Sequence, residues 1–470
     1  MDTFQFPKLL KNSILIIFFL QISFSLSWGF FIPVDNYLVH CGSVENTVLN
    51  NRIFVSDSSG CGSSLWSAAR TTSLKDENPL EGSSPLYHTA RVFTKLSNYE
   101  FEIKEKGTHF VRLHFFPFDS TKLNLSDSLF HVSVNGVLLL SNFTGQEEES
   151  RNFKNPVLKE YLIWVESGDK LVLSFIPSKE SSFAFVNAIE VISAPKDLIA
   201  DTAQHVTSER VEKYNGLTKE ALETIYRINI GGPKVTPFND TLWRTWIPAD
   251  GFLKLVAASK AISFSGRIKY HAGGASREVA PDNVYSSARI MSYPNVSMPD
   301  FNITWVFPVK SGYSYLARMH FCDIASMALN ELYFDIYING YAAYKDFDMS
   351  ELSGQMLAAP YYADFVIDAH TAKELTISIG PSSLSSPERI NAILNGLEIM
   401  KMNNSMGSLD GEISVDSIMQ SSPRRHMGIS APSVVVLSLL LAAFVLHKRR
   451  TGKKDSMGWS PLPVDVPEGK

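Results

Sequence analysis

Cysteine is scarce, with three in 470 residues. That excludes a disulfide-stapled scaffold, so a hydrophobic core must carry the fold. Cys41 and Cys61 enclose 19 residues, and closing such a loop would contribute ~3 kcal/mol in the chain-entropy model. A Cys41–Cys61 disulfide is therefore the pairing that spacing suggests. Cys322, in the apolar run "RMHFCDI", reads as a buried free thiol. Dense basic stretches are missing before residue 447, and the formal charge is -5. Nucleic acid, which is held by clustered Lys and Arg, is thereby excluded as the main partner. There is no Gly-rich phosphate loop, no "VAIK" lysine strand and no "HRD" or "DFG". The residues needed for phosphoryl transfer are absent from these 470 positions.

Long hydrophobic runs occur only near the two ends. Lys8 and Lys11 precede an apolar stretch at 13–24, and Ser25 and Ser27 follow it. This is the pattern of a secretory signal peptide, 1–27, cleaved after Ser27. Residues 427–446 carry no charge over 20 positions, enough for a helix to cross the ~30 Å hydrocarbon core. The basic segment "HKRRTGKK" follows it, so the positive-inside rule places 447–470 in the cytoplasm as a short basic tail. The expected topology is single-pass type I in the plasma membrane, with the lipid bilayer as a partner. Six glycosylation sequons, at Asn124, Asn142, Asn239, Asn295, Asn302 and Asn403, agree with a lumenal and then extracellular middle segment.

That middle segment contains one pattern twice. "YHTARVF" at 87–93 matches "YSSARIM" at 285–291, and "HFVRLHFFPFD" from His109 matches "SYLARMHFCDI" from Ser314. Arg112 thus aligns with Arg318 and His114 with His320. "LFHVSVNGV" then matches "YFDIYINGY", "LVLSFIPS" matches "LTISIGPS", and "FVNAIEVI" matches "ILNGLEIM", with Asn187 against Asn395. Val132 and Val134, like Ile336 and Ile338, alternate with their neighbours, and each run ends in Asn-Gly, the signature of strands joined by tight hairpins. The expected fold class is all-β: two tandem β-sandwich modules of jelly-roll type, plus one transmembrane α-helix. The expected boundaries are 28–196 for module 1, 197–221 for a linker, 222–402 for module 2 and 403–426 for a juxtamembrane stalk.

Chemistry is harder to read. Asp282, Asp323, Glu331 and Asp335 are acidic, but no spacing selects the pair that glycoside hydrolysis needs, and they read as solvated loop and strand-face carboxylates. His114 and His320 each stand without a second ligand at metal spacing, and read as packed histidines. No catalytic residue, metal site or cofactor is assigned. Arg91 and Arg289 could grip an anionic ligand bidentately, or could brace the sandwich edge as internal ion pairs. Tyr87, Tyr285, Trp243, Trp246, Tyr361 and Tyr362 are the aromatic platforms on which a sugar could stack. Arg91, Arg289, Tyr87 and Tyr285 are the candidate ligand-binding residues.

The segments "NYLVHCGS", "ALETIYRINIGG", "LWRTWIPAD" and "APDNVYSSARIM" resemble the plant malectin-like receptor kinases, the FERONIA and THESEUS group, over residues 30 to 465. The resemblance implies two malectin-like modules outside the cell, one membrane helix and, in the family, a serine/threonine kinase inside. "KRRTGKKDSMGWSPLP" is similar to the family's juxtamembrane segment, with 24 residues after the span and no kinase. The implied function is a receptor-like protein without kinase activity. Its implied partners are a secreted signalling peptide or a cell-wall polysaccharide, and a GPI-anchored co-receptor or related receptor kinases. The alternatives are a structural wall-to-membrane tether and a shortened product of a receptor kinase gene.

Overall fold

A computed structural model describes residues 31–59, 63–146, 156–166, 168–291, 302–384, 392–421 and 443–448. The chain divides into two units, 1–417 and 418–470. Among the described residues no helix is long and apolar enough to cross a membrane. The expected signal peptide lies outside those residues, as does the expected span except for 443–446, which is helical.

The first unit is almost entirely β. Its largest sheet runs through strands Val211–Asn215, Thr202–Val206, Pro360–Ala369, Tyr313–Cys322, Gly396–Met402, Leu222–Asn229, Val157–Val165, Gly107–Phe115, Ala188–Ser193, Asn36–His40, Arg52–Ser56 and Thr47–Leu49. Two of the repeated blocks occupy equivalent strands of this order, Gly107–Phe115 with Tyr313–Cys322 and Ala188–Ser193 with Gly396–Met402. The two halves join where Tyr161 and Leu162 pair antiparallel with Glu223 and Leu222. One backbone hydrogen-bond ladder therefore passes from one repeat into the other.

A second, smaller sheet lies over each half. Ser97–Glu102, Phe130–Val134 and Lys170–Pro177 belong to the first, and Ile303–Pro308, Tyr333–Ile338 and Glu374–Pro381 to the second. Each pair of sheets encloses its own core. Val132, Val134, Leu173 and Phe175 lie in one, and Ile336, Ile338, Ile377 and Ile379 in the other. The expected hairpins form at both Asn-Gly pairs. Asn135 and Gly136 have φ of 46° and 85°, and Asn339 and Gly340 have 51° and 82°, the left-handed pair that a two-residue hairpin turn demands. Each Asn side chain then accepts a backbone N–H of the neighbouring strand, Val172 at 2.7 Å and Thr376 at 3.0 Å.

The large sheet is buried on its other face as well. Leu38, Phe110, Leu162, Leu222, Leu316, Val366 and Met400 form a third cluster with Leu198, Ile199 and Leu217. The last three belong to the stretch expected to be a linker. Its apolar residues cover the sheet, and its strands Thr202–Val206 and Val211–Asn215 extend it, with Gln204 paired parallel to Phe365. Burial on both faces explains why the central strands read as continuous apolar runs.

The expected stalk also differs. Leu409 returns to the first core, where it is fully buried. Leu409 N–H donates to Leu138 O at 2.8 Å, and Leu138 N–H to Gly407 O at 2.9 Å. Asp410 accepts from Ser141 N–H and pairs with Lys310, both at 2.8 Å. Residues 403–411 thus clasp the folded body through one buried leucine and the bonds on either side of it.

Two glycines show how closely the repeat is kept. Gly42 and Gly231 have φ of 75° and 80°, and a Cβ on either would sit 2.2 Å from Ala90 O or 2.1 Å from Ala288 O. Only glycine satisfies both the left-handed backbone and that approach.

Candidate ligand-recognition site

Charged residues on the central strands must be paired once the sheet is covered, and they are. In the first half Glu190, Arg112 and Glu160 are direct cross-strand neighbours. In the second half Glu398, Arg318 and Asp364 repeat the row. Arg112 donates to Glu160 at 2.7 Å and to Glu190 at 3.0 Å, while Arg318 pairs with Asp364 at 2.7 Å. Arg227 links the rows, reaching Glu160 of the first half at 2.7 Å and Glu398 of the second at 2.6 Å. Burial alone would raise the Glu160 carboxyl, but Arg227 and Arg112 outweigh it and hold it down at about 2. Burial likewise acts against the Glu398 charge, and Arg227 together with His320 holds it well below the usual carboxylate range.

Each row carries a Tyr–His–Glu chain. Tyr87 Oη lies 3.0 Å from His114 Nδ1, and His114 Nε2 lies 3.0 Å from Glu190. Tyr285, His320 and Glu398 repeat this at 3.2 and 3.2 Å. Burial lowers the pKa of His320, with Glu398 opposing it. The neutral ring then donates from Nε2 to Glu398 and accepts the Tyr285 hydroxyl at Nδ1. These chains are closed on themselves. They tie neighbouring strands together.

Open space lies elsewhere. A cleft of about 1020 Å³ opens between the hairpin at 202–215, the loop 270–278 and the start of strand Pro360–Ala369, a size suited to a ligand or a peptide segment. Tyr270, Tyr361 and Tyr362 line it. The Arg318 guanidinium stacks 4.4 Å from the Tyr362 ring centre, and Arg277 stacks 4.9 Å from that of Tyr270. Tyr270 donates its hydroxyl to Asp282 at 2.6 Å, and Arg277 donates Nε–H to the same carboxylate at 3.1 Å. A second cleft of about 430 Å³ is lined by Phe238, Asn239, Trp243 and Asp282.

The malectin-like domain model matches residues 39–402. The chain belongs to the malectin-like family. Among curated proteins, this malectin-like chain is 40% identical to the Arabidopsis thaliana receptor-like protein kinase HERK 1, over 93% of the chain and 51% of that protein. It spans about half the length of the curated relatives it matches. Among solved structures, the plant receptor-like kinase ANX2 superposes with TM-score 0.72 at 30% identity, over 80% of this chain and 98% of that one. The plant peptide RALF23 in complex with FER and LLG2 gives TM-score 0.69 at 32% identity, over 81% and 98%.

The malectin-like fold engages all four residues that sequence nominated for ligand binding. Arg91 pairs with Asp57, donating Nε–H at 2.8 Å and a terminal N–H at 2.5 Å. Arg289 reaches Asp250 at 2.7 Å and Ser259 at 3.0 Å. Arg91 thus pairs with a carboxylate that is 1% exposed, and Arg289 with one that is 73% exposed. Tyr87 and Tyr285 belong to the Tyr–His–Glu chains. Of the remaining aromatics, Trp246 is wholly buried and donates to Asp240 at 2.9 Å. Trp243, at φ 56°, holds its ring 4.9 Å from the Arg52 guanidinium. Tyr361 and Tyr362 alone of the six reach the large cleft.

The acidic candidates are similarly committed, and Asp323 and Asp335 are buried rather than solvated. Asp323 caps a turn by accepting from Ala325 and Ser326 N–H. Asp335 accepts the Tyr337 hydroxyl at 2.9 Å and Asp346 N–H at 2.8 Å. Glu331 accepts from Met327 and Ala328 N–H. Cys41 is a buried free thiol, and Cys61, its expected partner, lies outside the described residues. Cys322 is buried and free.

Among the sequons, Asn142 and Asn239 are exposed, and Asn124 and Asn302 are half-buried. Asn403 accepts Ala221 N–H at 2.7 Å, and Asn295 lies outside the described residues. Sequence reasoning missed Tyr270, Arg277 and the hairpin wall of the cleft. They lie in segments without a counterpart in the aligned blocks, where comparing the copies gives no signal.

Proposed function

We propose that the chain is the ligand-recognising ectodomain of a single-pass plasma-membrane receptor protein, built from two tandem malectin-like sandwiches at 28–196 and 222–402. Its ligand is a secreted signalling peptide, bound together with a GPI-anchored co-receptor. The observation that carries this reading is the likeness, over 98% of the solved chain, to the ectodomain seen with the peptide RALF23 and LLG2. The continuous sheet supports it, since a ligand gripped by either half meets one stiff body. The three tyrosines of the large cleft favour a second reading, a tether that stacks wall polysaccharide on aromatic rings.

The test is a binding screen of the purified chain against secreted peptides and wall polysaccharides. The receptor reading expects saturable peptide binding that tightens when a co-receptor is added. Saturable polysaccharide binding with no peptide response would transfer the assignment to the tether. For the topology, endoglycosidase digestion of chain from plant membranes should lower its mass, and an unchanged mass would count against a lumenal middle segment.

A further inference from the structure

The large cleft has a specific chemistry that the family likeness does not assign. Its charged lining comprises Asp197, Glu212, Glu278 and Asp364 against Lys213 and Arg277. Asp364 is committed to Arg318, Arg277 to Asp282, and Glu212 to the exposed Arg210. Asp197 and Glu278 have no side-chain ion pair among the described residues, and set against the one other such group, Lys213, they leave the lining acidic by one charge.

The tyrosine rings beside them already stack guanidinium groups of this chain, at 4.4 and 4.9 Å, so the wall is built of surfaces that accept cations. In the loop wall, His271 Nδ1 and Ser276 Oγ are buried without a hydrogen-bond partner. Along the cleft, Val211–Asn215 is the last strand of the large sheet among the described residues. Its outer backbone edge is open to strand addition.

We propose that this cleft and the adjoining Val211–Asn215 edge dock an extended, basic segment of the extracellular peptide, which adds as a strand and sets an Arg or Lys among Tyr270, Tyr361 and Tyr362. The proposal rests on the peptide-receptor reading above. Acidic wall polysaccharide is disfavoured here, because it would bring carboxylates towards Asp197 and Glu278.

The probe is a fluorescent nonapeptide of alternating Arg and Val, titrated against the full chain in detergent micelles. Its Glu/Val counterpart and a version with alternate backbone nitrogens methylated serve as comparisons. The Arg/Val peptide should bind at least ~10-fold more tightly than either, since tenfold is about 1.4 kcal/mol and within reach of one charge contact or two strand hydrogen bonds. Asp197→Lys/Glu278→Lys should weaken it by ~10-fold or more. Glu81→Lys/Glu180→Lys, an equal charge change on exposed positions far along the sequence, should leave it unchanged. Binding that ignores peptide charge, or that both double variants weaken equally, would overturn the assignment. So would displacement of the Arg/Val peptide by oligogalacturonide, which would give the cleft to polysaccharide. A peptide from the receptor screen that binds the Asp197→Lys/Glu278→Lys chain at full strength would retire the cleft and leave the receptor reading standing. Failure of every peptide in that screen would retire the receptor reading itself.

Discussion

Replacing Arg227 with Met tests whether the two halves are energetically one body. Arg227 sits on the strand nearest the seam and is the cation shared by Glu160 and Glu398, at 2.7 and 2.6 Å. Methionine fills much of the same volume but removes the charge, leaving two buried carboxylates with fewer partners. Glu160 keeps Arg112 and Thr224, and Glu398 keeps His320. Breaking a buried pair in this way costs about 3–5 kcal/mol. A half melting alone would lose about 2–4 °C per kcal/mol, and both halves melting together about half that. The expected fall for a joint transition is therefore roughly 3–10 °C in one calorimetric peak. The pH dependence sharpens the test. In the parent the Glu160 carboxyl is held down at about 2 from an ordinary 4.5, so its stabilisation is complete above 4.5 and is lost as pH falls through 2. Without Arg227 the carboxyls can protonate at higher pH, so the variant's deficit should be largest near pH 7 and shrink below pH 5. A drop under ~1 °C at pH 7, a deficit that does not change with pH, or two peaks of which only one moves would refute the reasoning.

Gly231→Ala and Gly42→Ala should each cost above ~3 kcal/mol, because strain at positive φ adds to a backbone collision. Gly340→Ala, at φ 82° with nothing within 4 Å of the new Cβ, should cost only about 1–2 kcal/mol. Equal secreted yields and melting temperatures for the three would contradict the packing described. Leu409→Ala should lose about 2–5 kcal/mol, while Met406→Ala, at 47% exposure, should stay within ~0.5 kcal/mol. Urea midpoints of the two variants decide whether 403–411 clasps the core. Burial pushes the Cys41 and Cys322 thiols up, so neither should react with a thiol reagent at pH 8 until denaturant is added. Labelling of Cys322 in the native chain would refute its placement.

The repeat was legible because the same physical requirement recurs at the same spacing. Arg-x-His at 112–114 and 318–320, and Asn-x-x-Glu at 187–190 and 395–398, place polar side chains inside apolar strands, where each must find a partner. The partners confirm the logic. Arg112 meets Glu190, and Arg318 lies opposite Glu398. Asn187 and Asn395 accept the N–H of Phe116 and Cys322, both at 2.7 Å. What the pattern could not convey is whether a recurring polar residue faces a ligand or its own fold. Arg91 and Tyr87 recur as faithfully as Arg112, yet all three turn inward. Recurrence in both copies marks what the sandwich itself requires, because two copies share a fold without having to share a ligand. The cleft follows the opposite rule. Its hairpin at 202–215 and its loop at 270–278 lie outside the aligned blocks, and Tyr361 and Tyr362 stand where a ligand could reach them only because those unrepeated segments wall the space beside them. Among the described residues, then, the polar side chains that recur tie the fold together, and the proposed recognition cleft is walled by segments that do not recur.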